Sequence, residues 1–382
     1  MRAKFFLKTT TAIIAFSILA SPVVARVSGI SSIVSENRAL TAAPTTSDGW
    51  HYVHKLGKFV NDRLALRDKS LAIDSFIDRR FFGEEPAFGG AATPRVLEGS
   101  DGFLFLKDAF DAACNGHGTP ESVTANVKRF ADIIQRSGRK IVVTIAPDKS
   151  SVLLDKLPKD NPHSECHRLH QDQQWKALAD AQIPGYIDMR SVLREEVAKY
   201  RRPLFFRQDS HWNMEGSLPV VRQVVNYFSP NIWKASDVTF NGLTEYLGDL
   251  EGMRGGTKMD ETPIFGISRD QIKIEKSEND AAYPPGHRRL SQMSGPDGSL
   301  IKGKTLLLFD SFGMAAIEQI VPYFEDLTTV HFENFVIDKW IEDIKASENV
   351  WFLCVERGLG YRLTYDMGNK TFLDALDKAL NG

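Results

Sequence analysis

Residues 304–313 have the sequence Lys-Thr-Leu-Leu-Leu-Phe-Asp-Ser-Phe-Gly. An apolar run fills the middle of this stretch, and Asp310 and Ser311 follow it directly. Apolar residues in succession, without alternation, are typical of a strand that is buried on both faces of a sheet. The stretch therefore predicts a buried strand that ends in a polar turn.

Similar runs occur elsewhere, and helical patterns separate several of them. The predicted strands are residues 140–146, 185–188, 304–309, 328–332 and 349–355. The predicted helices are residues 121–137, 172–182, 216–228 and 335–346. Buried strands that alternate with helices indicate an α/β fold of three layers, in which helices cover both faces of a mostly parallel sheet. Functional groups of such folds collect at the carboxyl ends of the strands.

The chain outside this pattern divides into three parts. Residues 26–95 are interpreted as an N-terminal lead-in region, with a helical pattern over residues 57–80, and residues 96–382 as the main domain. Residues 236–299 are rich in Gly, Asp, Glu, Lys and Pro, and we interpret them as an irregular insertion over one end of the sheet. The first 25 residues have the basic, apolar and small-residue order of a secretory signal. An uncleaved N-terminal anchor is the alternative for that segment, and either one predicts export to the periplasm or the exterior.

Composition excludes several classes of protein. Hydrophobic residues make up 42% of the 382 residues and charged residues 25%, as in soluble globular proteins. The net charge of −2 offers no basic surplus for a phosphate backbone, so we expect no nucleic acid as a partner.

Cysteine usage agrees with export. Cys114 and Cys166 lie in polar sequence, and we expect them to pair in an oxidising compartment, with a stabilisation of about 2–4 kcal/mol. Cys354 lies within the apolar run 350–355 and is expected to be a buried, inert thiol.

Two polar segments have the residue types of acyl transfer. Ser311 follows a predicted strand, where its hydroxyl would be exposed as a nucleophile, although a serine that only caps a helix is the simpler interpretation of this residue alone. Asp209 and His211 are two residues apart, and in an extended segment they would share one face, so the carboxylate can orient the imidazole. A structural Asp–His pair is the alternative. Together, the three residues are the set that acyl transfer needs.

Metal chemistry has weaker support in the sequence. A metal site needs about three ligands, and His163, His167 and His170 lie in a different polar segment, interpreted as a solvated loop. We therefore expect neither a metal nor a cofactor.

The Asp-Ser-Phe-Gly turn and the Asp-Ser-His-Trp-Asn run at 209–213 resemble the SGNH-hydrolase-like domain of the alginate O-acetyltransferase (AlgJ/AlgX-like) family. Residues 35–40, 61–67, 96–105 and 146–149 also resemble that family, and they occur in the same order. The resemblance implies a periplasmic enzyme that O-acetylates an exported polysaccharide, with a membrane-bound O-acyltransferase that supplies the acetyl group.

Carried over to this sequence, the resemblance makes Ser311 the nucleophile, His211 the general base and Asp209 the residue that orients it. The backbone N–H groups of Ser311 and Gly313 would receive the oxyanion. Phe309 stands where the parent hydrolases carry glycine before Asp-Ser, and the Asp–His pair is closely spaced and precedes the serine. Both departures disfavour a lipase-like esterase.

Candidate sugar contacts are Trp212, Asn213, Arg357 and Tyr361. Trp212 would stack on a sugar ring or pack to orient the His211 loop, and Arg357 would bind an acidic polymer or form a surface salt bridge. Three functions remain open at this point: a polysaccharide O-acetyltransferase, a secreted carbohydrate or acyl esterase with the same triad, and a non-catalytic polysaccharide-binding subunit.

Overall fold

A computed structural model of the chain describes residues 96–115, 118–158, 164–284 and 286–382, together with isolated positions between 24 and 59. Apart from those positions, the predicted signal segment 1–25 and lead-in region 26–95 lie outside the described residues. The chain divides into two compact units: residues 98–246 and 259–382 form the larger unit, and residues 1–97 and 247–258 form the smaller one. The core and the candidate site lie within the larger unit. Among the described residues, no helix is both long and apolar enough to cross a membrane.

The described chain consists of strands and helices joined by turns and loops. The strands are β1 Val96–Glu98, β2 Leu104–Leu106, β3 Lys140–Ala146, β4 Tyr186–Ile187, β5 Val238–Tyr246, β6 Asp260–Ile267, β7 Lys273–Asn279, β8 Arg288–Ser294, β9 Ile301–Phe309, β10 Phe324–His331 and β11 Asn349–Val355. The helices are α1 Lys107–Asn115, α2 Pro120–Arg136, α3 Lys149–Val152, α4 Ser164–Asp180, α5 Met189–Tyr200, α6 Met214–Phe228, α7 Asp249–Met253, α8 Ser311–Met314, α9 Ile317–Ile320, α10 Ile337–Lys345, α11 Leu359–Tyr361 and α12 Lys370–Asn381.

A seven-stranded sheet in the order β4-β3-β11-β9-β10-β8-β7 forms the centre. The first five strands are parallel, which confirms the mostly parallel α/β fold. In the register of the sheet, Phe309 lies beside Leu353 and His331, and Val355 lies beside Ala146. The carboxyl ends of β3, β11, β9 and β10 therefore meet at one edge.

Apolar residues on both faces of the strands explain why this sheet lies inside the protein. In β9, Leu306 and Leu308 belong to a core cluster with side chains from α2, α4, α10 and α12. Leu307 and Phe309 alternate with them, face the other side, and are equally buried. Each such side chain contributes about 1.5–3 kcal/mol to folding through burial, so the continuous apolar runs specify the central strands.

Residues 236–299 differ from the expectation of an irregular insertion. They contain β5 to β8: β7 and β8 extend the central sheet in antiparallel pairing, and β5 and β6 form a separate two-stranded sheet. Strand β7 is largely exposed and carries charged residues along most of its length, so it lacks the alternating apolar pattern by which a strand is recognised in sequence. The predicted loop around His167 is also wrong, because that residue is buried within α4.

The predicted disulfide is present. Cys114 at the end of α1 is bonded to Cys166 near the start of α4, with a Cα–Cα separation of 5.6 Å. Cys354 is a free, buried thiol in β11, as expected. Burial raises the pKa of this thiol well above its ordinary value, which keeps it in the unreactive protonated form.

Candidate active site

The carboxyl end of β9 is followed by a turn that exposes Ser311. Asp310 caps α8: its Oδ1 accepts the Phe312 N–H at 3.0 Å, and its Oδ2 accepts the Val355 N–H at 2.5 Å. Gly313 is required here, because a Cβ at this position would lie 2.5 Å from the Phe309 ring. Burial raises the pKa of Asp310, and the two N–H donors oppose that effect. The buried carboxyl thus holds the turn that follows β9 against the end of β11.

A pinned loop before α6 carries the Asp–His pair. Phe205 and Trp212 form an isolated antiparallel bridge, and the Phe206 N–H donates to the His211 carbonyl at 3.2 Å. Leu204 has a φ of 56°, a left-handed conformation that is uncommon for such a side chain and is more frequent at functional sites.

Asp209 and His211 are in contact as expected, but the expected extended segment is wrong. The chain bends at Asp209, whose Oδ1 accepts both the backbone N–H of His211 at 2.9 Å and its ring Nδ1 at 2.7 Å. The pair lies in the segment between α5 and α6. A turn closed by the aspartate side chain brings the two groups together.

The structure brings Ser311, His211 and Asp209 together, although 100 residues separate the serine from the histidine. The Ser311 Oγ lies 2.8 Å from His211 Nε2, and His211 Nδ1 lies 2.7 Å from Asp209 Oδ1. In the tautomer with the proton on Nδ1, the serine hydroxyl donates to Nε2 and the imidazole donates to the carboxylate. The Asp209 side chain is 1% exposed and that of His211 16%, so only the imidazole end of the pair reaches solvent.

Tyr246, which no sequence motif marks, completes the environment of the aspartate. Its hydroxyl donates to Asp209 Oδ2 at 3.1 Å, and its ring stacks on Phe206 at 4.7 Å. Both carboxylate oxygens of Asp209 are therefore hydrogen-bonded. Tyr246 ends β5, within the segment that was expected to be irregular, and no motif marks it.

The two predicted oxyanion donors differ in availability. The Gly313 N–H already donates to the Asp310 carbonyl at 2.9 Å, so it is not available in this arrangement. The Ser311 N–H belongs to the first residue of α8, where backbone donors have no acceptor within the helix.

Trp212 and Asn213 do not lie where a sugar could reach them, which corrects their assignment as contacts. Trp212 is fully buried, donates to the Phe312 carbonyl at 3.0 Å, and packs edge-on against the Phe312 ring. Asn213 caps α6 by accepting the Gly216 N–H at 2.9 Å. Both residues instead fix the His211 loop against the Ser311 turn.

Arg357 is not a surface cation either, because its side chain is only 13% exposed. Its guanidinium pairs with Asp148, whose Oδ2 also accepts the Arg357 backbone N–H at 2.9 Å. The guanidinium lies 5.2 Å from the centre of the Phe312 ring. Tyr361, by contrast, is 49% exposed and packs beside the ring of Tyr365.

His287, His331 and Glu333 bring possible metal-ligand atoms within 4.8 Å of one another near the end of β10. The two imidazoles face each other with ring centres 4.4 Å apart, and His331 Nδ1 already accepts the Glu333 N–H at 3.2 Å. That acceptor role places the His331 proton on Nε2, so neither ring nitrogen offers a free lone pair. The group is a poor fit to a metal in this arrangement.

The site consists of a hydrogen-bonded serine, histidine and aspartate at the edge of a mostly parallel α/β sheet. This arrangement is able to perform acyl transfer. The family described as "SGNH hydrolase-like domain, acetyltransferase AlgX" matches residues 96–280. The matched segment contains Asp209 and His211 and ends before Ser311.

Two curated relatives carry the same description of function. A probable alginate O-acetylase AlgJ of Pseudomonas syringae pv. tomato is 23% identical over 196 residues, which cover 51% of this chain and 47% of the relative. A second, from Pseudomonas putida, is 28% identical over 124 residues, 32% of this chain and 31% of the relative. The matched region thus spans half or less of the length of either relative.

Solved structures of similar fold include the O-acetyltransferase domain of Pseudomonas putida AlgJ and Bacillus cereus PatB1. The first is 16% identical with a TM-score of 0.48, and covers 74% of this chain and 99% of that one. The second is 14% identical with a TM-score of 0.49, and covers 72% and 98%. The family match and the curated relatives confirm the resemblance expected from the motifs: residues 96–280 of this chain are similar to the acetyltransferase domain of the AlgJ/AlgX proteins.

Proposed function

We propose that this protein is an O-acetyltransferase that moves acetyl groups to hydroxyls of an exported polysaccharide through an acetyl-serine on Ser311. The observation that carries the proposal is the continuous hydrogen-bonded chain from Ser311 Oγ through His211 to Asp209, at 2.8 and 2.7 Å. The name of the matched family, and those of the alginate O-acetylases among the relatives, support acetyl transfer as the reaction.

In the first half of the reaction, the Ser311 oxygen attacks the carbonyl carbon of the acetyl donor. His211 Nε2 accepts the hydroxyl proton as the new C–O bond forms, and then gives it to the departing oxygen of the donor as the old bond breaks. Asp209 holds the proton on Nδ1 and stabilises the imidazolium that forms. The Tyr246 hydroxyl keeps the carboxylate in the required orientation.

In the second half, a sugar hydroxyl attacks the acetyl-serine. His211 Nε2 accepts the proton of that hydroxyl and returns it to the Ser311 oxygen, which leaves. Transfer exceeds hydrolysis only if the sugar hydroxyl is held in the attacking position better than water is. In both halves the Ser311 N–H is the proposed donor to the oxyanion, and one good donor lowers the barrier by about 3–4 kcal/mol.

Export is part of the proposal. The order of residues 1–25 supports a signal segment or an N-terminal anchor, and the Cys114–Cys166 disulfide is of the kind that persists in oxidising compartments such as the periplasm. Acetyl groups would then have to reach the protein outside the cytoplasm. We propose a membrane-bound O-acyltransferase as the partner that delivers them.

The direct test is acetyl transfer from an activated acetyl ester to oligosaccharides, followed by mass spectrometry of the sugars. We expect acetylated sugars with the wild type, and a loss of at least about 10³-fold with Ser311→Ala, at an unchanged midpoint of thermal unfolding. Ser236→Ala, an exposed serine, is the matched control and should behave as the wild type does. Free acetate as the sole product would favour the esterase, and full activity of Ser311→Ala would overturn the mechanism.

A further inference from the structure

A cleft of about 270 Å³ opens at the carboxyl ends of β3 and β11. Its walls come from α1, α4 and the segment that follows β11. The Cys114–Cys166 disulfide joins the end of α1 to the start of α4, so it fixes two of the walls relative to each other.

This cleft is a neighbour of the Ser311 turn. Arg357 lies in its wall, and the same guanidinium covers the ring of Phe312, the residue after Ser311. A smaller depression of about 10 Å³ is lined by Arg357 together with Ser210, which precedes His211. Arg357 therefore contacts both the cleft and the surroundings of the nucleophile and the base.

Two residues that line the cleft each have a buried polar atom without a partner among the described residues. The Nε2 of Gln171, a residue that is 5% exposed, makes no hydrogen bond there, although it has two hydrogens to donate. The Oδ1 of Asp111 accepts none, while its Oδ2 accepts from Lys107 at 2.7 Å. Buried polar groups are normally paired, and an unmade hydrogen bond costs about 1–3 kcal/mol. A ligand hydroxyl both donates and accepts, so hydroxyls are the groups whose hydrogen-bonding capacity matches both atoms.

The charges that line the cleft disfavour an anionic ligand. Three carboxyl groups face it, from Asp111, Asp148 and Glu356, and Arg357 is paired with Asp148. Burial, and next the Asp148 charge, raise the pKa of Glu356 to about 7. Burial lowers the pKa of His170, so this imidazole is neutral at pH 7. Lys107 and Arg357, the cations beside these groups, are already paired with Asp111 and Asp148, so a carboxylate placed here would meet the Glu356 carboxyl and two ion pairs rather than an unpaired cation.

The remaining lining is suited to a ring with apolar faces. Val123 and Leu359 contribute aliphatic surface, Ala112 leaves room beside them, and the half-exposed ring of Tyr361 stands at the rim. The cleft volume is near the lower end of the range for small-ligand pockets, about 300–1,000 Å³. That space suits one sugar unit rather than a long segment of polymer.

We propose that this cleft is a subsite for one neutral, hexose-type unit of the acceptor, with Gln171 donating to one hydroxyl and Asp111 accepting from another. Tyr361 covers one face of the sugar ring. The inference rests on the proposed acetyl transfer and narrows its acceptor: the sugar bound next to the reacting unit carries hydroxyls and no carboxylate.

The binding test uses full-length Ser311→Ala protein, which cannot turn over, in calorimetric titrations. The ligands are neutral tetrasaccharides of glucose, galactose, mannose and N-acetylglucosamine, and a tetramannuronate. We expect at least one neutral ligand to bind more tightly than the tetramannuronate. Gln171→Ala and Ala112→Phe, the second of which fills the cleft, should each weaken that binding about tenfold, whereas Gln173→Ala on the exposed face of α4 should not change it. The proposal would be overturned if the tetramannuronate bound more tightly than every neutral ligand, or if no neutral ligand bound. It would also be overturned if the cleft variants left the binding of the neutral ligand unchanged.

A kinetic test separates this inference from the proposed function. In the Ser311-containing protein, Gln171→Ala should raise the KM for the neutral acceptor about tenfold, and leave the rate of enzyme acetylation by an activated ester unchanged. Unchanged KM with normal acetylation would contradict the cleft alone. Absence of acetylation in every variant and in the wild type would contradict the acetyl-serine mechanism, while the binding test would still decide the cleft.

Discussion

Two polar clusters lie at the same edge of the sheet and have opposite uses for similar groups. The first, the Ser311 chain, consists of Ser311, His211 and Asp209. The second, the Asp148 cluster, consists of Asp148, Arg357 and Glu356 at the ends of β3 and β11. Each contains a carboxylate that is almost fully buried and hydrogen-bonded to a nitrogen-bearing side chain.

The two clusters differ in whether a reactive group remains after their hydrogen bonds and ion pairs are formed. In the Asp148 cluster the ion pair closes on itself, and Glu356 accepts from Trp175 Nε1 at 2.7 Å and from the Asp148 N–H at 3.0 Å. In the Ser311 chain the Ser311 hydroxyl donates to His211 and the imidazole donates to Asp209, so the Ser311 oxygen keeps its lone pairs for attack on an acyl carbon. Partners, rather than residue type or position at a strand end, therefore distinguish a reactive group from a structural one.

The largest effect should come from breaking the Ser311 chain at its centre. His211→Ala removes the base for both halves of the reaction, and we expect transfer to fall by about 10⁴-fold. The folding midpoint should hardly change, because the imidazole is not part of the main core. Transfer assays beside thermal unfolding measure both quantities. A small loss of rate would show that this histidine is structural.

Breaking the Asp148 cluster should have the opposite outcome. Arg357→Met leaves the Asp148 carboxylate buried without its cation, and should lower the free energy of unfolding by about 3–5 kcal/mol in urea titrations. Asp148→Asn combined with Arg357→Met should recover much of that loss. Lys370→Met, which removes an exposed ion pair with Asp374, is the control and should cost no more than about 1 kcal/mol. Equal effects of the buried and exposed variants would contradict the structural role.

A smaller effect should follow from Tyr246→Phe, which removes one of the hydrogen bonds to Asp209. The loss of about 0.5–1.5 kcal/mol corresponds to a decrease of about two- to tenfold in kcat, with the KM for the acceptor unchanged. Tyr227→Phe, at an exposed tyrosine of α6, is the matched control. A change in KM alone would place Tyr246 in substrate binding rather than in orienting the aspartate.

The central sheet could be predicted because burial on two faces leaves a mark in the sequence. Strands β3 and β11 have the predicted limits, 140–146 and 349–355. Strand β7 cannot be recognised in this way, because it lies at the edge of the sheet, where charged side chains remain in water and no apolar pattern is needed. Tertiary pairing, rather than local composition, makes it a strand.

Only the residues of the site, and not the contacts between them, could be predicted from the sequence. The types Ser, His and Asp pointed to Ser311, His211 and Asp209, but their contact depends on the loop bend at Asp209. The burial of Trp212 and the pairing of Arg357 arise from segments distant in sequence, Phe312 and Asp148 respectively. No short motif encodes such contacts. The contact between Tyr246 and Asp209 could not be predicted for the same reason.

The most direct test is intact-mass analysis of the protein, rapidly mixed with an activated acetyl ester and quenched without an acceptor, followed by peptide mapping. We predict the gain of one acetyl group, located on the peptide that contains Ser311, and no gain with Ser311→Ala. An acetyl group on another residue, or none on the wild type while transfer to sugars proceeds, would contradict the acetyl-serine mechanism.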